Sequence, residues 1–149
     1  MKTIKLKLPV RNIFLIVATA IIIFSFSSCA VKKPFLLSAI VPAARGSVTI
    51  KKDRNKNYDI KIQICNLAET NRLPREKNTY VVWMVTEDNT TKNIGQIKSA
   101  STFLFKKLKA SLETKSSFRP TKIFITAEYD ANIQNPVAQT VLSTANFQE

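Results

Sequence analysis

From Ser47 onward, apolar residues recur at every second position in short runs separated by Asn-, Asp-, Lys- and Pro-containing stretches. That is the period of a half-buried antiparallel strand. "SVTIKK", Ser47 to Lys52, puts Val48 and Ile50 on one face. "YDIKIQIC" puts Tyr58, Ile60, Ile62 and Ile64 on one face, and Asp59, Lys61, Gln63 and Cys65 on the other. Between them "DRNKN", Asp53 to Asn57, is rich in residues that tolerate left-handed backbone, so the two strands read as a hairpin. "TYVVWMVT", Thr79 to Thr86, is almost continuously apolar, as suits a central strand covered on both faces. "IGQIK" forms a short strand around Ile94 and Ile97, "TKIFITAEY" a strong one with Ile123, Ile125 and Ala127 opposite Phe124, Thr126 and Glu128, and "AQTVLST" a closing one. "STFLFKKLKASL" is ambiguous: it alternates through Phe103 and Phe105, yet also places Phe105, Leu108 and Leu112 on one helical face. The reading favours a strand first, with a helical turn after. About seven strands over residues 46–149 predict an all-β, Ig-like antiparallel β-sandwich. The loops Asn66–Asn78 and Asp130–Pro136 are its expected contact surface.

The N-terminal part follows another pattern. Residues 13–26, "IFLIVATAIIIFSF", form an apolar run preceded by Lys2, Lys5, Lys7 and Arg11. The run is shorter than the roughly 20 residues that span a bilayer and fits the apolar region of a signal peptide, residues 1–28. Ser27-Ser28-Cys29-Ala30 follows and resembles a bacterial lipobox, although Phe26 stands where that signal usually has Leu. The resemblance implies that the Cys29 thiol receives a diacylglycerol and that cleavage makes Cys29 the new, further acylated N-terminus. Two or three acyl chains anchor a protein stably where one does not. The alternative is an uncleaved anchor with an incidental cysteine. Residues 29–45, "CAVKKPFLLSAIVPAAR", with two prolines and no strand pattern, read as a lipidated tether whose apolar residues pack either on the domain or on the lipid surface. The expected location is the bacterial envelope, on the outer membrane facing the periplasm.

Charge and composition narrow the chemistry. The chain of 149 residues has 23 Lys and Arg against ten Asp and Glu. Removal of residues 1–28 takes four bases and no acid, leaving a net charge of +9. There is no His, which excludes Ser-His and Cys-His nucleophile arrangements and the commonest metal ligand. Two glycines leave no Gly-rich phosphate loop. No catalytic residue, metal or cofactor is assigned.

Several residues have a functional and a structural reading. Trp83, the one tryptophan, is a ligand platform or, more simply, core. Glu128 is half of a carboxylate pair with Asp130 or Glu87, or part of a solvated strand face. Cys65 is expected to be a small core or interface residue, since no His can activate it. Lys51, Lys52, Arg54 and Lys56 in one hairpin, and Lys106, Lys107 and Lys109 near Phe103 and Phe105, either meet anionic headgroups or glycans or form a solvated face. Nucleic acid is not an expected partner of an exported chain. Asn89-Thr90-Thr91 matches a glycosylation sequon by chance in a bacterial protein.

"YVVWM" (Tyr80 to Met84), Gly95, "FITAE" (Phe124 to Glu128), Pro136 and Val141-Leu142 together resemble the extracytoplasmic domain of anti-sigma-K factors. They also resemble small bacterial lipoproteins of unknown function that carry the same two runs. The resemblance covers residues 46–144 and implies a β-sandwich. "YDANIQNP" replaces the Gly-Gly and Pro-Thr elements usual after the Glu, and there is no cytoplasmic zinc-binding half. The expected function is therefore a non-catalytic binding or structural module, anchored to the membrane through Cys29 and meeting an envelope protein or polysaccharide. The alternative is a sensor component working beside a membrane anti-sigma regulator.

Overall fold

A computed structural model describes residues 30–73, 77–97, 100–101 and 108–147. The signal-peptide segment, Cys29, Phe103, Phe105, Lys106 and Lys107 lie outside the described residues. The described chain is all-β, in nine strands: β1 (Ala30–Pro34), β2 (Arg45–Lys52), β3 (Tyr58–Cys65), β4 (Thr79–Thr86), β5 (Thr91–Ile97), β6 (Ala100–Ser101), β7 (Leu108–Ser116), β8 (Pro120–Glu128) and β9 (Thr140–Ser143). The order β1-β2-β3-β7-β6 makes one sheet and β5-β4-β8-β9 the other, every described pairing being antiparallel. With β2 taken as strand A, these are the ABED and C′CFG sheets of an immunoglobulin-type sandwich, with β1 added at one edge. Among the described residues no helix is long and apolar enough to cross a membrane.

The alternation seen in the sequence becomes burial. Ile60, Ile62 and Ile64 of β3 are buried while Lys61, Gln63 and Cys65 are exposed. They meet Tyr80, Val82 and Met84 of β4 and Ile123 and Ile125 of β8 in one core, which β9 closes with Val141 and Leu142. Gly95 sits beside a bulge in the β4–β5 pairing, where Val82 faces Gly95 and Trp83 faces Asn93. Its φ of +136° is one that side chains rarely adopt, and an added Cβ would lie 3.3 Å from a Leu112 methyl of the other sheet. A glycine here lets β5 close over β7.

Two expectations are corrected and the strand count is extended. Residues 30–45 are no free tether: residues 30–34 pair with β2 along their whole length, and Phe35, Val41 and Ala44 are buried in the core. The strand was hidden because "AVKKP" lies on an edge and is mostly exposed on both faces, so no alternation marks it. The sandwich has nine strands where about seven were expected. The last five residues of the ambiguous segment, Leu108–Leu112, open a strand, β7, where a helical turn was expected; of its inward residues Ala110, Leu112, Thr114 and Ser116, all but Leu112 are too small or polar for strong periodicity.

Candidate functional site

Strand β4 is covered on both faces, as its composition predicted. Val82 and Met84 point between the sheets, whereas Trp83, fully buried, is absent from that core and lies on the opposite face. There Trp83 pairs in register with Asn93 of β5 and Phe124 of β8. Its ring stacks on Phe124, with centroids 6.3 Å apart, and its indole N–H donates to Thr126 Oγ1 at 2.8 Å. A buried indole needs such a partner. Trp83 is thus structural, in a second apolar layer outside the sandwich, and no ligand platform.

Two polar side chains draw the chain after β8 toward this layer. Asn93 Nδ2 donates to the carbonyls of Ala131 and Ile133, at 2.8 and 3.0 Å, and Asn93 Oδ1 accepts from Gly95 N at 3.0 Å. Glu128 Oε1 accepts from the backbone N–H groups of Val137 and Ala138, at 3.1 and 3.0 Å. Glu128 is 3% exposed, so its expected place on a solvated strand face is corrected: the loop it caps folds over it. Asn78 Nδ2 donates to the Tyr129 carbonyl at 2.8 Å, and Asp130 Oδ1 accepts from Asn132 N at 3.0 Å. The whole of Asp130–Pro136 is thereby held in one place from both of its ends.

Between this loop and β5 runs an open groove of roughly 690 Å³, lined by Thr91, Lys92, Gln96, Asn132 and Gln134 beside Asn93. Its lining offers amides, a hydroxyl and one ammonium, and no carboxylate. Such a wall can hydrogen-bond a hydroxyl-rich or amide-rich ligand; it holds no side chain whose ordinary pKa lies near neutrality to move a proton.

The less favoured reading of Glu128, a carboxylate pair with Glu87, is not assembled. Glu128 pairs with Thr79 at one end of β4, whereas Glu87 follows the other end and takes a 2.9 Å bond from Arg119. Among the described residues no three His, Cys, Asp or Glu gather in a way that could hold a metal ion. Of the two places expected for Cys65, core or interface, the core is corrected: Cys65 is exposed at the end of β3, where it alternates with Ile64 and so falls on the outer face. Lys51, Lys52, Arg54 and Lys56 are all exposed around the β2–β3 turn, and Lys109 is exposed on β7. Asn89 of the sequon sits at φ 58° in the β4–β5 turn, where its N–H donates to the Thr86 carbonyl. Asp88 accepts from the hydroxyls of Thr86 and Thr90, and the Thr86 bond above all holds its carboxyl below the ordinary range.

Sequence reasoning missed Asn93 as the residue that shapes the groove. The only trace was an Asn inside an otherwise β-forming stretch, two residues before a glycine. The fold and site together define the class, an immunoglobulin-type β-sandwich with a polar edge groove. No family model matches the chain, and neither a curated protein nor a solved structure matches it significantly.

Proposed function

We propose that this protein is an envelope lipoprotein, lipid-anchored at Cys29 on the outer membrane and facing the periplasm, whose sandwich is a non-catalytic binding or structural module. The observation that carries the reading is the fixed loop Asp130–Pro136. Asn93 bonds its backbone at Ala131 and Ile133, and Glu128 holds Val137 and Ala138 just beyond it, so the groove wall is preorganised and a partner need not pay to order it. The acids the sequence singled out are engaged elsewhere: Glu128 on backbone N–H groups, Glu87 on Arg119, Asp130 on its own turn. That leaves the groove to bind through amides, a hydroxyl and the Lys92 ammonium, which suits a polysaccharide or an extended segment of an envelope protein. The loop Asn66–Asn78, of which residues 70–72 form a single 3-10 turn, is a second contact surface at the same end of the sandwich.

The intact mass of the protein extracted from its own membranes tests the anchor. The expected mass is residues 29–149 plus acyl chains, lost in Cys29→Ala. A mass retaining residues 1–28 overturns the lipoprotein and favours the sensor reading. Capture of cell-wall polysaccharide or envelope protein tests the module, with Asn132→Ala/Gln134→Ala expected to lose the captured species. Capture unchanged in that variant removes the groove from the function.

A further inference from the structure

The position of Ala30 in the fold orients the whole domain, on the reading of Cys29 as the anchor. Ala30 is already the first residue of β1 and pairs with Lys51. One trans peptide carries the chain only about 3.8 Å, so an acylated Cys29 leaves no slack between membrane and sandwich. The end of the sandwich that carries Ala30 also carries three turns. Asp53–Asn57 joins β2 to β3, residues 87–90 join β4 to β5, and residues 117–119 join β7 to β8. Ser117 Oγ donates to Asn57 Oδ1 at 3.2 Å and Arg119 bonds Glu87, so the three form one surface.

On that surface each acid is tied down, two of them by Lys115 and Arg119, while four further bases are left over. Asp53 Oδ1 accepts from Asn57 N at 2.8 Å, and Asp59 lies 3.0 Å from Lys115. The hydrogen bond that Lys115 donates to Asp59 holds its ammonium above the ordinary pKa. Glu87 is on Arg119, and Asp88 is on Thr86 and Thr90. By contrast Lys51, Lys52, Arg54 and Lys56 are exposed and have no acidic partner among the described residues; Lys52 Nζ lies 5.6 Å from the Tyr58 ring centre. Apolar groups rise beside them: Phe118 is 49% and Val31 41% exposed, with Lys92 Nζ 3.9 Å from the Phe118 ring. Unpaired bases mixed with an aromatic and an aliphatic side chain are the composition of a surface that rests in a headgroup layer.

We propose that this end, with Lys51, Lys52, Arg54, Lys56 and Phe118 in contact, docks on anionic lipid headgroups. The sandwich stands on its membrane by the β2–β3 hairpin and holds Asp130–Pro136 and Asn66–Asn78 at the far end. An anchor with no slack keeps these bases within the ~8 Å over which charge acts at physiological salt.

The test uses the full-length protein from its own membranes, placed in nanodiscs of phosphatidylcholine alone or of phosphatidylcholine with phosphatidylglycerol. Acetylation of each lysine by a water-soluble reagent is followed by peptide mass spectrometry. Lys51, Lys52 and Lys56 are expected to react about fivefold more slowly in the anionic discs, with Lys77 and Lys109 unchanged. In Lys52→Gln/Arg54→Gln the protection of Lys51 and Lys56 is expected to fall to its level in neutral discs. Equal labelling in both lipids, or protection that persists in the variant, overturns the proposal. So does protection that appears only when a soluble envelope extract is added, since it assigns the patch to an acidic partner in solution. The intact mass of the same sample reports separately whether Cys29 is acylated, so a failed anchor and a failed docking surface are told apart.

Discussion

Trp83 donates its indole N–H to Thr126 across the β4–β8 pair, on the face turned away from the main core. The two are diagonal neighbours, since Val81 faces Thr126 and Trp83 faces Phe124. Diagonal pairs are within reach only of long or aromatic side chains, which is why a tryptophan suits the position. The pair closes a second layer that keeps the four-stranded sheet from presenting a bare apolar surface.

Because Trp83 is the one tryptophan, its emission reports that layer. The folded protein is expected to emit at the blue end of the tryptophan range and to shift red on unfolding. Trp83→Phe keeps ring stacking but leaves the Thr126 hydroxyl buried without its donor, a loss of about 1–3 kcal/mol in urea unfolding. Adding Thr126→Val to that variant is expected to restore part of the loss, because the orphaned polar group is then gone. A double variant that is fully additive denies the coupling.

Glu128→Ala is expected to cost about 1–3 kcal/mol and to release the loop after β8, because the N–H groups of Val137 and Ala138 lose their acceptor. Glu128→Gln keeps one side-chain oxygen in place and is expected to cost less. Hydrogen exchange at Val137 and Ala138 separates the two variants: rapid in Ala, intermediate in Gln. Unchanged exchange in Glu128→Ala shows that the loop is held by other contacts.

The contrast between β3 and β4 shows what a single sequence can convey. In β3 one face is wet, so Ile60, Ile62 and Ile64 declare themselves by alternation. In β4 both faces are dry, and an unbroken apolar run does not say which side Trp83 takes. Glu128 was misleading for a related reason. Its partners lie nine and ten residues on, in a loop with no periodicity, so nothing near it in the chain signals burial. The edge strand β1 was invisible because edges are solvated on both faces and marked by lysines. The Ig-like sandwich was legible because it depends on patterned strands; the groove was not, because it depends on two long-range hydrogen-bonding side chains, Asn93 and Glu128.

Gly95→Ala is expected to destabilise the domain by more than about 1 kcal/mol, through an unfavourable φ and a tight approach to Leu112. Asn93→Ala is expected to act differently, with a smaller loss of stability but faster hydrogen exchange and proteolysis in residues 130–134, since it removes only the donors to Ala131 and Ile133 and one acceptor. If Gly95→Ala is neutral, the close approach of β5 to β7 is not a constraint on this strand.

Tyr80 supplies a pH signature. It is fully buried, its hydroxyl donates to the Ala68 carbonyl at 2.9 Å, and burial pushes its pKa from 10.0 up to about 12. The unfolded chain therefore releases this proton first as pH rises. The contribution of Tyr80 to stability is complete below pH 10 and is lost as pH climbs from there toward about 12. Urea midpoints measured across that window are expected to fall in the wild type and to fall less in Tyr80→Phe. Equal alkaline slopes assign the loss to other groups.

The two cysteines give a direct count of the anchor. Cys65 is exposed on the outer face of β3 and is expected to react with a thiol reagent without denaturant. An acylated Cys29 carries its diacylglycerol through sulfur and has no thiol left. Protein from its native membrane is then expected to titrate one thiol per chain, and Cys65→Ser none, in denaturant as well as in buffer. If Cys65→Ser still yields one thiol in denaturant, Cys29 is unmodified. The sandwich would then be attached by residues 13–26 as an uncleaved segment, still at the Ala30 end, and the case for a sensor beside a membrane regulator would gain.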